Sequence, residues 1–91
     1  MNNNPWFLYL ALANTGRYYT GISQNISKRI YNHNKGNGSK FAINQGPFKL
    51  VYFSEPIHNY KKAIEIESKV KNWSQKKKEK LISHEWKLNI E

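Results

Sequence analysis

The 91-residue sequence contains no cysteine and no aspartate, and only two of its fifteen cations are arginine. Without cysteine there is no disulfide, no thiolate zinc site and no thiol nucleophile. With glutamate as the only acid, six residues in all, a chemistry built on several bridging carboxylates has few places to arise. Long apolar runs are missing too. The longest, residues 6–13, falls far short of the roughly 20 residues that span a membrane. The Met-Asn-Asn-Asn-Pro start has neither the basic segment nor the apolar stretch of a secretory signal. These absences predict one cytoplasmic domain over residues 1–91, with a thin core that buries roughly 60–65% of the surface exposed on unfolding.

What is abundant is positive charge. Fifteen Lys+Arg against six acids leave +9, which suits a polyanionic partner and puts nucleic acid first among candidate ligands. Asn, Lys and Ile are all frequent, as in AT-rich coding. Where nearly every cation is written as Lys, a surviving Arg points to a site that needs the planar guanidinium fork. Arg17 and Arg29 are the two survivors.

Local patterns divide the chain into six elements. Trp6-Phe-Leu-Tyr-Leu-Ala-Leu12 is short, apolar and aromatic, which predicts a buried strand. Asn14-Thr15-Gly16 fits a three-residue hairpin loop with Gly16 in the left-handed region, and Tyr18 to Ser23 is the return strand. Asn25 caps a helix from Ile26 to about Lys35, which Gly36 ends. A basic loop, Gly36 to Lys40, precedes a third strand from Phe48 to Ser54. Asn59 caps a second helix through about Lys71, and Ser74 caps a lysine-rich third helix to about Ile82, followed by a tail of ambiguous structure. The order ββαβαα predicts an α+β domain, a small and mostly antiparallel three-stranded sheet packed with helices.

The hairpin has a chemical consequence. A three-residue loop sets Tyr9 opposite Gly21 and Ala11 opposite Tyr19, so the two tyrosines share one face, roughly 7–8 Å apart at their backbones. A loop one residue shorter would put them on opposite faces. Glycine weakens a strand unless something must approach closely, so Gly21 opposite Tyr9 draws notice. On the first helix Ile26, Arg29, Ile30 and His33 fall on one side. On the second, Tyr60, Ala63, Ile64, Ile66 and Val70 define an apolar face, and Glu67 lies within that arc. A carboxylate there is unfavourable by several kcal/mol unless it is paired, with Arg29 for instance, or binds a metal.

At these residues the chain resembles the GIY-YIG nuclease superfamily, in particular its small stand-alone bacterial members, and it is similar to the N-terminal domain of the excinuclease C subunit. The two name-giving triplets stand here as Phe7-Leu8-Tyr9 and Tyr19-Thr20-Gly21. Arg29 follows the second tyrosine by ten residues and His33 by one more helical turn. The family's acid matches Glu67 in Ala63-Ile-Glu-Ile-Glu-Ser-Lys-Val-Lys-Asn-Trp73, and Lys76-Lys-Lys-Glu-Lys-Leu-Ile82 also looks like the small members. The match runs over roughly residues 5–83. Phe7 and Leu8 stand where the family has Gly and Ile, and Thr20 replaces a second Ile. Family endonucleases usually carry further DNA-recognition domains, and this chain shows none.

The resemblance implies a catalytic set of Tyr9, Tyr19, Arg29, His33 and Glu67. Glu67 would hold a single Mg²⁺ or Mn²⁺ with water and phosphate oxygens, since one inward carboxylate does not make a two-metal clamp. One tyrosine, Tyr9 being favoured, would take a proton from the attacking water. An unperturbed phenol near pKa 10 is a weak base, so a neighbouring cation is expected to lower it. Arg29 would grip the scissile phosphate bidentately. Lys35, Lys40, Lys71, Lys76, Lys77 and Lys78 would track the phosphate backbone without reading bases. The expected activity is metal-dependent hydrolysis of DNA phosphodiester bonds, in repair or recombination. RNA is the alternative substrate, and neither a membrane nor a small-molecule cofactor takes part. The competing readings are a catalytically silent nucleic-acid-binding module and a protein adaptor using Trp73 and Trp86.

Overall fold

The computed structural model describes residues 4–35 and 47–90. Its elements are β1 (Phe7–Leu12), β2 (Tyr18–Ser23), α1 (Ile26–Asn34), β3 (Lys49–Phe53), α2 (Tyr60–Lys71) and α3 (Gln75–Ile82), the expected ββαβαα order. Lys40 and the rest of the predicted basic loop lie outside the described residues.

All strand pairs are antiparallel and β1 is central, in the order β2-β1-β3. Centrality explains why β1 reads as continuously apolar. Leu8 and Leu10 point to one face, Tyr9 and Ala11 to the other, and all four are buried. The hairpin is the three-residue form. Ala13 N–H donates to the Arg17 carbonyl at 2.8 Å, Gly16 N–H donates to the Ala13 carbonyl at 2.9 Å, and Gly16 has φ +89°. The register therefore pairs Tyr9 with Gly21 and Ala11 with Tyr19, as the loop length predicts.

The third strand is shorter at both ends than its sequence suggests. The ladder to β1 shifts between Leu10 and Ala11, and beyond its end Ser54 stays bonded to Leu8, donating its N–H to the Leu8 carbonyl at 2.9 Å and accepting the Leu8 N–H on its Oγ at 3.0 Å. Trp6 and Ile57 then add an isolated pair, with N–H···O distances of 2.8 and 2.7 Å.

Each helix begins at its predicted cap. Asn25 Oδ1 accepts from Lys28 N–H at 3.1 Å, Asn59 Oδ1 from Lys62 N–H at 3.0 Å, and Ser74 Oγ from Lys77 N–H at 3.2 Å. Such a cap contributes about 1 kcal/mol. Helices α2 and α3 cover the leucine face, where Leu8 and Leu10 meet Ile57, Ala63, Ile66, Val70 and Leu81. On the opposite face Tyr9, Ala11, Ala13 and Phe48 form a second cluster, with Tyr19 and the α1 residues Ile26 and Ile30 packed against it.

Two expected core residues are not in the core. Tyr60 is 53% exposed and Ile64 41% exposed. The contact made by α2 is narrow, Ala63, Ile66 and Val70 alone, and its first turn overhangs Trp6, whose ring lies 4.8 Å from that of Tyr60.

The tail is ordered back onto the domain. His84 adopts φ +66°, its N–H donates to the Leu81 carbonyl at 3.1 Å, and Glu85 N–H donates to the Lys80 carbonyl at 3.0 Å. That is a Schellman motif with histidine in the usual glycine position. Beyond it Leu88 and Ile90 pack against the leucine-face cluster. No helix among the described residues is long and apolar enough to cross a membrane.

Candidate active site

The tyrosine face brings the predicted residues together. Tyr9 and Tyr19, diagonal neighbours on β1 and β2, have ring centroids 6.3 Å apart. Gly21 is what lets Tyr9 lie as it does. An ideal Cβ at Gly21 would stand 2.6 Å from the Tyr9 hydroxyl and 2.7 Å from the nearest ring carbon, so the phenol lies across the bare backbone of β2. The close approach expected at this glycine is thus made by the tyrosine itself.

Arg29 reaches this patch from α1. Its guanidinium is influenced by both tyrosine hydroxyls, and their net effect, against partial burial, is to raise its pKa. The Tyr9 hydroxyl is fully buried and makes no hydrogen bond of standard geometry, although Arg29 lies close enough to stabilise the phenolate. Burial wins. Tyr9 is pushed up to about 12, with Tyr19 and Glu67 also raising it and only Arg29 opposing. This corrects the expectation that the neighbouring guanidinium leaves Tyr9 with a lowered pKa. Tyr19, by contrast, is only partly buried.

Glu67 arrives from the other side of the sheet. It sits half-buried beside Ile66 on α2, which packs against the leucine face, yet its charge is felt at the Tyr9 hydroxyl. β2 is an edge strand, so a phenol lying across Gly21 faces the border that α2 can reach. Burial is the largest influence on Arg29, and the two tyrosine hydroxyls oppose and outweigh it. Among the described residues no three His, Cys, Asp or Glu side chains converge on a metal site. A lone half-buried carboxylate suits a hard divalent cation that draws most of its shell from water and phosphate oxygens, and it does not suit a closed zinc cage.

His33 is in place but not as a surface group. It is 1% exposed, edge-on to Tyr19 at 5.0 Å and to Phe48 at 5.8 Å, and neither ring nitrogen has a hydrogen-bond partner among the described residues. Burial, with the Arg29 charge adding to it, lowers its pKa and keeps it neutral. It backs Tyr19 and does not meet solvent.

Two residues that sequence reasoning did not single out hold this arrangement. Asn34, the last residue of α1, clamps Phe48 through both amide atoms: Nδ2 donates to the Phe48 carbonyl at 3.1 Å, and Oδ1 accepts its N–H at 2.6 Å. Phe48 in turn meets Tyr19 at 5.7 Å. A contact across fourteen residues leaves no periodic signal.

The cations divide. Lys71 and Lys76 are exposed, and Lys35 is exposed with its ammonium 5.1 Å from the Tyr31 ring centroid. Lys77 lies over Trp73 instead of standing free. Lys78 is buried on the inner side of α3 with Leu81, and burial together with Lys71 lowers its pKa. The expectation that Lys78 tracks a phosphate backbone is therefore corrected: the third lysine of the run falls under the helix. Arg29 also lines a cleft of about 290 Å³ with Trp6, Ser23, Gln24, Lys28 and Asn32. A cavity of about 820 Å³ between Pro56 and Ile90 contains none of the five predicted catalytic residues.

Comparison with known proteins decides what this patch belongs to. The model of the GIY-YIG catalytic domain matches residues 5–80. The chain belongs to the GIY-YIG family. A GIY-YIG domain-containing protein of Invertebrate iridescent virus 6 is 36% identical over 96% of this chain and 84% of its own length. A UPF0213 protein of Photorhabdus laumondii is 39% identical over 90% and 78%. The solution structure of a UPF0213 protein from Bacillus halodurans superposes with a TM-score of 0.53 at 33% identity, covering 86% of this chain and 82% of that one. In this GIY-YIG domain Tyr9, Tyr19, Gly21, Arg29 and Glu67 thus sit on a fold shared with small relatives. The family implies nuclease-type chemistry on nucleic acid.

Proposed function

We propose that this GIY-YIG domain is a metal-dependent endonuclease that hydrolyses DNA phosphodiester bonds, acting in DNA repair or recombination. The observation that carries the reading is convergence. Two phenols and one guanidinium meet on one patch, and the carboxylate of a helix from the opposite face is felt at the same hydroxyl. A scaffold alone has no use for a buried hydroxyl without a hydrogen-bond partner beside a guanidinium.

Glu67 would hold Mg²⁺ or Mn²⁺, and the bound ion would supply charge stabilisation to the phosphate and the leaving oxygen. Arg29 binds the scissile phosphate through its planar fork and opposes the charge that grows there. Tyr19, the less buried of the two tyrosines, accepts the proton of the attacking water as its phenolate and ends the step as the neutral phenol. Tyr9, its hydroxyl buried across Gly21, orients that water indirectly by holding Tyr19 and Arg29 in place. His33 fixes the Tyr19 ring from behind.

The test is cleavage of single-stranded, duplex, branched and RNA substrates with Mg²⁺, Mn²⁺ or EDTA. Glu67→Ala is expected to abolish EDTA-sensitive cleavage with an unchanged circular dichroism spectrum; full activity would remove the metal assignment. Arg29→Lys keeps the charge but loses the fork, and about a 10²–10³-fold loss of rate is expected. The second reading is a domain that binds nucleic acid without cutting it, which the exposed Lys35, Lys71 and Lys76 fit equally well. Salt-sensitive binding without cleavage of any substrate would select that one.

A further inference from the structure

An aromatic and cationic cluster stands apart from the catalytic patch. Trp73 and Trp86 meet edge to face at 6.1 Å. One ammonium, that of Lys77, lies 4.4 Å from the Trp73 ring centroid and 5.1 Å from that of Trp86, and the Lys80 ammonium lies 5.6 Å from Trp86. Trp86 is nonetheless 43% exposed. It also borders a cleft of about 390 Å³, whose walls include Phe7, Tyr52, Phe53, His84 and Lys87, and which contains none of the five predicted catalytic residues. That volume is in the range of small-ligand sites. Glu55 is the one carboxylate in its lining.

The cluster is built, not a loose tail. The Schellman motif at His84 turns the chain back on α3, and Trp86 N–H donates to the Lys80 carbonyl at 3.2 Å. An L-residue in the left-handed region is strained. The outcome of that strain is the placement of Trp86 beside two lysines.

We infer that this cleft is a stacking site for the bases of an unpaired nucleic-acid strand. Aromatic faces flanked by cations are the chemistry that holds single strands: bases stack on the rings and phosphates meet the ammonium groups. Lys80 and Lys77 do not block entry. A stacked base is held more strongly than a cation over an exposed ring. A base therefore displaces an ammonium, which is then free to pair with the adjacent phosphate. Duplex DNA, its bases already stacked, gains only the phosphate contacts. The meaning of the site rests on the nuclease reading, for which it selects substrates with an unpaired strand; its measurement does not.

The experiment is fluorescence anisotropy of a labelled oligothymidylate of about a dozen nucleotides, titrated in EDTA so that no cleavage occurs. Parallel arms use oligouridylate, a duplex, an abasic strand of equal length and polyglutamate. The oligothymidylate is expected to bind more tightly than the duplex or the abasic strand, and polyglutamate weakly. Trp86→Ala is expected to weaken oligothymidylate binding about ten-fold, the loss of one stacked base, and to leave duplex binding unchanged. Trp86→Tyr, which keeps a ring, restores most of the affinity and shows that the loss is not one of folding. The uridylate arm assigns the strand to DNA, RNA or both. Equal binding of the abasic strand or polyglutamate, or equal loss on duplex and single strand, overturns the stacking site. Arg29→Ala separates the two readings, since it removes cleavage but leaves the Trp86-dependent binding in place.

Discussion

The two faces of the sheet use the same strand for opposite ends. On the leucine face, alternate residues of β1 join an apolar cluster with residues of α2, α3 and the segment between β3 and α2. On the tyrosine face, the intervening residues bury groups that prefer water or a partner. Four buried polar atoms lack a hydrogen bond among the described residues, and three of them belong to Tyr9 and His33. Leaving a buried polar atom unsatisfied is unfavourable by roughly 1–3 kcal/mol. One face holds the domain together and the other holds reactive groups in unfavourable surroundings. In a chain this small that division leaves little reserve.

The largest effect should come from breaking the leucine face. Leu10, fully buried, becomes a cavity in Leu10→Ala, and about 2–5 kcal/mol of stability is expected to disappear. Urea unfolding measures that loss, and the rate per folded molecule should hardly change. A matching loss of rate would show that the faces are not separable. Gly21→Ala probes the other face. Its methyl collides with the Tyr9 hydroxyl, so the ring must move, at about 1–3 kcal/mol of stability. Cleavage is expected to fall by more than that loss explains, and a normal rate would show that the position of Tyr9 is unimportant. The smallest effect concerns pH. His33 is held neutral, its pKa lowered from the usual 6.5. As pH falls below about 6.5 the unfolded chain takes up a proton that the folded one refuses, so stability declines towards acid. His33→Phe should flatten that decline in thermal melts between pH 7 and 5. An unaltered slope would return the acid sensitivity to other groups.

Much of the frame was legible because it is local. The hairpin register follows from one loop length, and three caps follow from Asn25, Asn59 and Ser74 standing just ahead of periodic segments. The sharing of a face by Tyr9 and Tyr19 needed only that register. Misreadings arose where a pattern met a partner it could not describe. A helical wheel gives the direction of Tyr60 and Ile64 but not the width of the surface beneath, so both were assigned to a core that ends at Ala63. Three consecutive lysines look alike in sequence, yet one is under α3, one is over an indole and one is free. The turn at His84 was illegible because the motif usually announces itself with glycine.

The missing residue types and the folded contacts divide what is determined. Missing cysteine and aspartate, scarce arginine and a single inward glutamate were enough to name Arg29 and Glu67 as the informative charges, because residue type limits chemistry before any folding occurs. What those charges meet was decided only by tertiary structure. α1 and α2 approach from opposite faces of the sheet, and only the edge position of β2 and the bare backbone at Gly21 bring Arg29, Glu67 and the Tyr9 hydroxyl within one another's influence. Burial then raises that hydroxyl to about 12, since the dielectric around an atom is set by everything folded against it and is written at no single position of the chain.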